Sequence, residues 1–137
     1  MGSVPAVTLN ELPRFRDLTE DDKREITRAG QQVTVPDGWS LVWEKTPADK
    51  AYLIIDGRVA VHSGGRTIAE LGPGDLVGEL ALAERRLRTA TASALTSLRL
   101  LHFTGEAFAD LYQRVPGFRD AVDATVAERT AAYSDGH

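Results

Sequence analysis

The sequence predicts a mainly β domain, an antiparallel barrel or sandwich of short strands with helices at both ends. Three observations carry this. Between Gln31 and Phe103 apolar and polar residues alternate in short runs. Turn residues recur in that stretch roughly every eight to twelve positions, the spacing of antiparallel folds rather than of a parallel sheet. On either side of it the apolar spacing lengthens to that of a helix.

The elements follow in order. Residues 1–8 read as a loose arm, and Leu9 to Phe15 as a short helical turn. Thr19-Glu20-Asp21-Asp22 starts a helix: the threonine can accept from early backbone N–H groups, and three acids suit the positive end of the dipole. Gly30 stops it. Val33 and Val35 then alternate with polar neighbours, and Asp37-Gly38 turns. Trp39, Leu41 and Trp43 alternate again, and both tryptophans are expected to pack the barrel. Residues 44–50 are charged, contain Pro47 and read as a loop. Ala51 to Ile55 is an apolar strand, Asp56-Gly57 is expected to turn a hairpin, and Val59 and Val61 alternate after it. Ser63-Gly64-Gly65 turns once more before the strand Thr67 to Leu71, and Thr89 to Phe103 reads as two further strands. Glu106 to Arg114 is helical, with Phe108, Leu111 and Tyr112 on one side. Pro116 breaks that helix and opens another. There Phe118, Val122, Val126, Arg129 and Tyr133 share one face. An arginine in that apolar stripe calls for a reason.

Composition narrows the function. A chain of 137 residues, 42% hydrophobic and 26% charged, is sized for one domain with a real core. A net charge of −4 gives no global attraction to nucleic acid or anionic membrane. The absence of cysteine removes disulfides, thiolate metal sites and cysteine nucleophiles, and suits a cytoplasmic protein. No apolar run is long enough for a membrane helix, and no signal peptide is evident. Arginine outnumbers lysine 13 to 3, a bias associated with bacterial genomes rich in GC. Three histidines, His62, His102 and His137, are too scattered for a metal-dependent barrel enzyme. No Ser/His/Asp ordering or paired-carboxylate spacing offers a catalytic set.

The informative run extends from Gly72 to Thr91. Gly78 allows a ligand or backbone N–H groups to approach closely. Leu80 to Ala83 are helix formers, and a short helix beginning near Glu79 would direct free N–H groups outward, as phosphate sites do. Glu79 would compete with an anion, so it suits a neutral sugar hydroxyl, while Arg88 balances a single negative charge. Charge-assisted hydrogen bonds of this kind contribute about 1.5–3 kcal/mol each.

Gly78-Glu79-Leu80-Ala81-Leu82, a linker of five residues, and Arg88-Thr89-Ala90-Thr91 resemble the phosphate-binding cassette of cyclic-nucleotide-binding domains. That family includes the catabolite activator proteins, regulatory subunits of cyclic-nucleotide-dependent kinases, and tails of cyclic-nucleotide-gated channels. The likeness spans roughly residues 12–133, with Asp56-Gly57 and Leu71-Gly72-Pro73-Gly74-Asp75 in step. It implies an eight-stranded antiparallel β-roll, jelly-roll-like, with a short N-terminal helix and two C-terminal helices. It divides the chain into an arm at 1–8, a binding domain at 9–133 (cassette 72–91, lid helix 116–133) and a tail at 134–137.

The resemblance also implies roles. Glu79 would bind the ribose 2′-hydroxyl and Arg88 the exocyclic phosphate oxygens. Backbone N–H groups near Leu80, Ala81 and Thr89 or Ala90 would complete the phosphate contacts, with Gly78 allowing the approach. Leu71 and Val77 would line the base. Arg129 and Tyr133 would face or cap the purine from the lid helix. The implied function is a cytoplasmic, non-catalytic sensor of a 3′,5′-cyclic purine nucleotide, cAMP favoured and cGMP possible. It would need no cofactor and would signal through its C-terminal helix to a protein effector. With no DNA-binding module after the lid helix, the chain would be a standalone sensor or a fragment.

Departures from the family pattern bear on loop shape. Val77 stands where many members have phenylalanine, and neither the loop 44–50 nor the linker Ala83–Leu87 has the usual glycine. Thr89 leaves the choice of purine open. The plainer alternatives are a structural Glu79–Arg88 ion pair in a barrel that binds no nucleotide and serves as an interaction module, solvated charges at Arg85 and Arg86, and an Arg129 that only snorkels.

Overall fold

A computed structural model of the chain describes residues 9–42, 50–78 and 91–135, the side chains of Val42 and of residues 129–135 excepted. Leu9 to Leu18 forms consecutive turns, tied by Leu12 N–H to Leu9 O (3.1 Å) and Arg16 N–H to Leu12 O (3.0 Å). Helix α1 (Glu20–Ala29) starts as its sequence dictates: Asp22 N–H donates to the Thr19 hydroxyl at 3.1 Å, over a first turn of three acids. It ends at Gly30, whose N–H reaches Ile26 O.

Eight strands follow among the described residues: β1 (Gln31–Val35), β2 (Ser40–Val42), β3 (Lys50–Asp56), β4 (Val59–Ser63), β5 (Arg66–Leu71), β6 (Leu76–Val77), β7 (Thr91–Ala94) and β8 (Leu98–Thr104). They form two antiparallel sheets, ordered β1-β8-β3-β6 and β2-β7-β4-β5. Helices α2 (Gly105–Arg114) and α3 (Pro116–Asp135) close the chain. The Thr104 hydroxyl caps α2 by accepting from Ala107 N–H at 3.1 Å. Pro116 opens α3, where its missing N–H costs nothing.

The first sheet is covered on both faces, which explains why Ala51 to Ile55 is continuously apolar rather than alternating. Ala51 and Leu53 of β3, with Leu101 and Phe103 of β8, pack toward the helices against Ile26, Phe108 and Phe118. Tyr52 and Ile54, with Leu98 and Leu100, face the second sheet and meet Val59, Val61, Ala92 and Ala94. The other side of the second sheet is polar: Ser93 Oγ lies 3.1 Å from both His62 Nε2 and Ser40 Oγ.

Two expectations need correction. Gly64-Gly65 does turn a hairpin, between Ser63 and Arg66, but Asp56-Gly57 does not. β3 and β4 belong to different sheets, and Gly57 is the corner between them. Its φ is +104°, and a Cβ there would stand 2.4 Å from Ser97 O, so both conformation and space demand glycine. Trp39 does not pack the barrel. It precedes β2, next to the Gly38 turn, and is 64% exposed. Trp43 lies outside the described residues.

Candidate ligand-binding site

The turn that leads into the cassette is closed from within and stapled from outside. Asp75 accepts from Gly72 N–H through Oδ2 at 2.9 Å, and its own N–H returns to Gly72 O at 3.0 Å. Gly74 N–H donates to Ile54 O and Ile54 N–H to Asp75 O, both at 2.9 Å, which fixes the turn to β3. Beyond it β6 pairs with β3 in the register Leu76 to Leu53 and Val77 to Tyr52. The chain then bends at Gly78, whose φ of +86° is one that residues with a side chain seldom adopt. It leaves the first sheet at this point and joins the second at Thr91, the start of β7.

Leu71 and Val77, both expected to line the base, are 7% and 2% exposed and belong to one cluster between the sheets. They come from opposite sheets, Leu71 paired with Val59 and Val77 with Tyr52. The Tyr52 ring lies tilted against His102, centroids 5.4 Å apart. Glu79, Leu80, Ala81, Arg88, Thr89 and Ala90 lie outside the described residues, as do Arg85 and Arg86.

The last helix buries Phe118 and Val122 completely, and half-buried Val126 packs on the same core. Thr125, 1% exposed, satisfies its hydroxyl by donating to Ala121 O at 2.9 Å. The backbone helix carries on through Arg129 and Tyr133; their side chains lie outside the described residues. The joint between α2 and α3 is fastened by polar groups. Tyr112 O–H donates to Asp123 Oδ1 at 2.7 Å. Arg119 donates to Tyr112 O at 2.9 Å and to Gln113 O at 2.7 Å, with its guanidinium 5.9 Å from the Tyr112 ring centroid. The hydrogen bond to the Asp123 carboxylate holds the Tyr112 hydroxyl above its ordinary pKa. Within α2, Asp110 and Arg114 form a pair whose hydrogen bond lowers the carboxyl pKa and raises that of the guanidinium.

Sequence reasoning missed Arg14. Its Nη1 donates to Asp75 Oδ1 at 3.3 Å, and its Nη2 pairs with Glu128 Oε2 on α3. Arg14 also has a φ of +72°, unusual for a residue with a side chain. Nothing local marks it, because both partners are remote in sequence. No group of three or more His, Cys, Asp or Glu residues among those described could hold a metal ion. No helix among them is long and apolar enough to cross a membrane.

Comparison with known proteins places this geometry. The family described as "Cyclic nucleotide-binding domain" matches residues 32–115. A cyclic nucleotide-gated potassium channel of Mesorhizobium japonicum is 33% identical over 121 residues, 88% of this chain and 34% of the channel. The cyclic AMP receptor protein of Thermus thermophilus is 30% identical over 122 residues, 85% of this chain and 56% of the receptor. The chain thus spans about a third of the one and just over half of the other. Among solved structures, the N-terminal domain of a transcriptional regulator from Streptomyces coelicolor superposes with a TM-score of 0.69 at 30% identity, covering 93% of this chain and 94% of that one.

Proposed function

The chain belongs to the cyclic nucleotide-binding domain family, and from that premise we propose that it is a non-catalytic cytoplasmic sensor of a 3′,5′-cyclic purine nucleotide, cAMP ahead of cGMP. One observation carries the reading. The chain leaves the first sheet at Gly78 and enters the second at Thr91, and Leu71 and Val77 belong to the apolar core between the two sheets. The described ends of the cassette sequence, Gly78 and Thr91, thus adjoin Val77 and Ala92 of that apolar interior, and in this reading the cassette holds the sugar and phosphate while the purine meets the apolar side chains.

In this reading Arg88 neutralises the cyclic phosphate, and backbone N–H groups near Leu80, Ala81 and Thr89 or Ala90 complete its coordination. Glu79 accepts from the ribose 2′-hydroxyl. Arg129 and Tyr133 meet the base from α3, and the position of that helix is what an effector protein reads. The preference for cAMP draws on the relative named a cyclic AMP receptor protein; Thr89 is compatible with either purine.

Isothermal calorimetry with cAMP and cGMP tests the reading. Saturable heat is expected from cAMP and weaker binding from cGMP. Arg88→Ala should lose about 10- to 150-fold in affinity, the equivalent of one charge-assisted hydrogen bond or more. No heat and no thermal shift at millimolar nucleotide would leave an interaction module with the same barrel.

A further inference from the structure

Three segments far apart in sequence meet at Arg14: its own turn, the Gly72–Asp75 turn and helix α3. We infer that Arg14 is a positioning residue that ties the turn before the cassette to the last helix, so that a displacement of one is felt by the other. The ligand-linked half of this inference rests on the proposed nucleotide binding; the tie itself does not.

The contact with the turn is made twice over. A Cβ on Gly74 would lie 2.8 Å from Pro13 Cδ and 2.9 Å from Pro13 O, so the backbone of the turn lies directly against the segment that carries Arg14. Asp75 then divides its two oxygens: Oδ2 closes the turn through Gly72 N–H, and Oδ1 accepts from Arg14. Any reshaping of Gly72–Asp75 therefore moves the carboxylate that holds the guanidinium. The turn leads through Leu76 and Val77 to Gly78, the residue at which the cassette of the proposed phosphate site begins.

On the other side, the guanidinium pairs with Glu128. Helix α3 is fixed near its start by the Tyr112–Asp123 and Arg119 bonds and by the burial of Phe118 and Val122. Past Val126 its described side chains are exposed, and Glu128 is bound to the body of the domain through Arg14. Glu128 immediately precedes Arg129, the residue proposed to face the base. An arginine suits this post, because its planar fork presents separate N–H groups to two carboxylates at once.

Hydrogen exchange on the full chain without nucleotide tests the tie. Arg14→Ala and Glu128→Gln should each speed exchange of the Asp123–Glu128 amides by about two- to fivefold, the scale of a part-exposed ion pair. The double variant should do no more than either single one, and Arg14→Lys should fall between Ala and wild type. Unchanged exchange at these amides, or effects of Arg14→Ala and Glu128→Gln that add, overturns the tie. A merely structural arginine would lower Tm without concentrating the change on α3. With cAMP present, Arg14→Ala should leave the response of the Gly74 amide in place and shrink that of α3; an undiminished α3 response overturns the coupling. Absence of calorimetric heat in the wild-type protein rejects the proposed function instead, and the nucleotide-free experiments still judge the tie.

Discussion

The first sheet separates two cores that are built from different materials. On its helix side stand all four phenylalanines of the chain, Phe15, Phe103, Phe108 and Phe118, each at most 4% exposed. Phe118 takes both Phe103 and Phe108 edge-on, with centroids 5.9 and 5.3 Å away. Between the sheets the cluster is aliphatic: Val59, Val61, Val77, Ala92 and Ala94 lie with Leu41, Ile54, Leu71, Leu98 and Leu100, and Tyr52 is the one aromatic ring among its described residues. Interlocked rings give the helix side large buried areas and fixed geometry. In the proposed function it is this aliphatic side of the sheet, with Leu71 and Val77, that the base would meet. Under the proposed function, the contrast would give stability chiefly to one side of the sheet and binding to the other.

The sharpest way to break that assignment is Phe118→Ala. Removing a ring that two others contact should cost about 3–5 kcal/mol by chemical denaturation. A loss below about 1 kcal/mol would show that the helices contribute little. Next in size is Ala92→Leu, which overfills the inner core. About 1–3 kcal/mol of stability should be lost, and cAMP affinity, measured by calorimetry below the melting range, should fall at least about tenfold. Normal binding would mean that the base does not enter between the sheets. The smallest effect concerns the helix joint. Because the Asp123 carboxylate raises the Tyr112 pKa above its ordinary 10.0, the folded state holds that proton more tightly than the unfolded chain does. The resulting stability is fully present below the ordinary value and is lost as pH rises through the higher folded one. Asp123→Asn should flatten this alkaline decline and bring the tyrosinate absorbance change to lower pH; an unaltered titration would detach Tyr112 from Asp123.

What could be read from the sequence was what neighbours in sequence decide. Thr19 as a cap, Gly30 as a stop, Ser63-Gly64-Gly65 as a turn and Pro116 as a helix start each depend on a few adjacent residues, and each stands as read. The Phe118–Val122–Val126 stripe faces the core for the same reason. Asp56-Gly57 has the composition of a hairpin, yet which sheet receives the next strand depends on Ser97 and Leu98, some forty residues on. Trp39 shares the parity of Leu41, but parity places a residue only inside a strand, and β2 begins after it. The partners of Arg14 lie 61 and 114 positions away, and no local pattern announces such a meeting. Of the expected site, Leu71 and Val77 are buried between the sheets and Gly78 bends the chain with a positive φ; the residues expected to hold phosphate and sugar fall outside the described residues.

The strand order has a further consequence, for the birth of the protein. β1, the earliest described strand, pairs along its whole length with β8, and β8 also supplies one of the two neighbours of β3. During synthesis the completion of the first sheet must therefore wait for Leu98–Thr104, and that of the phenylalanine core for Phe118. The β4–β5 hairpin can pair as soon as Leu71 has emerged, but β1 stays without its partner until β8 is made, and closing that long loop slows folding.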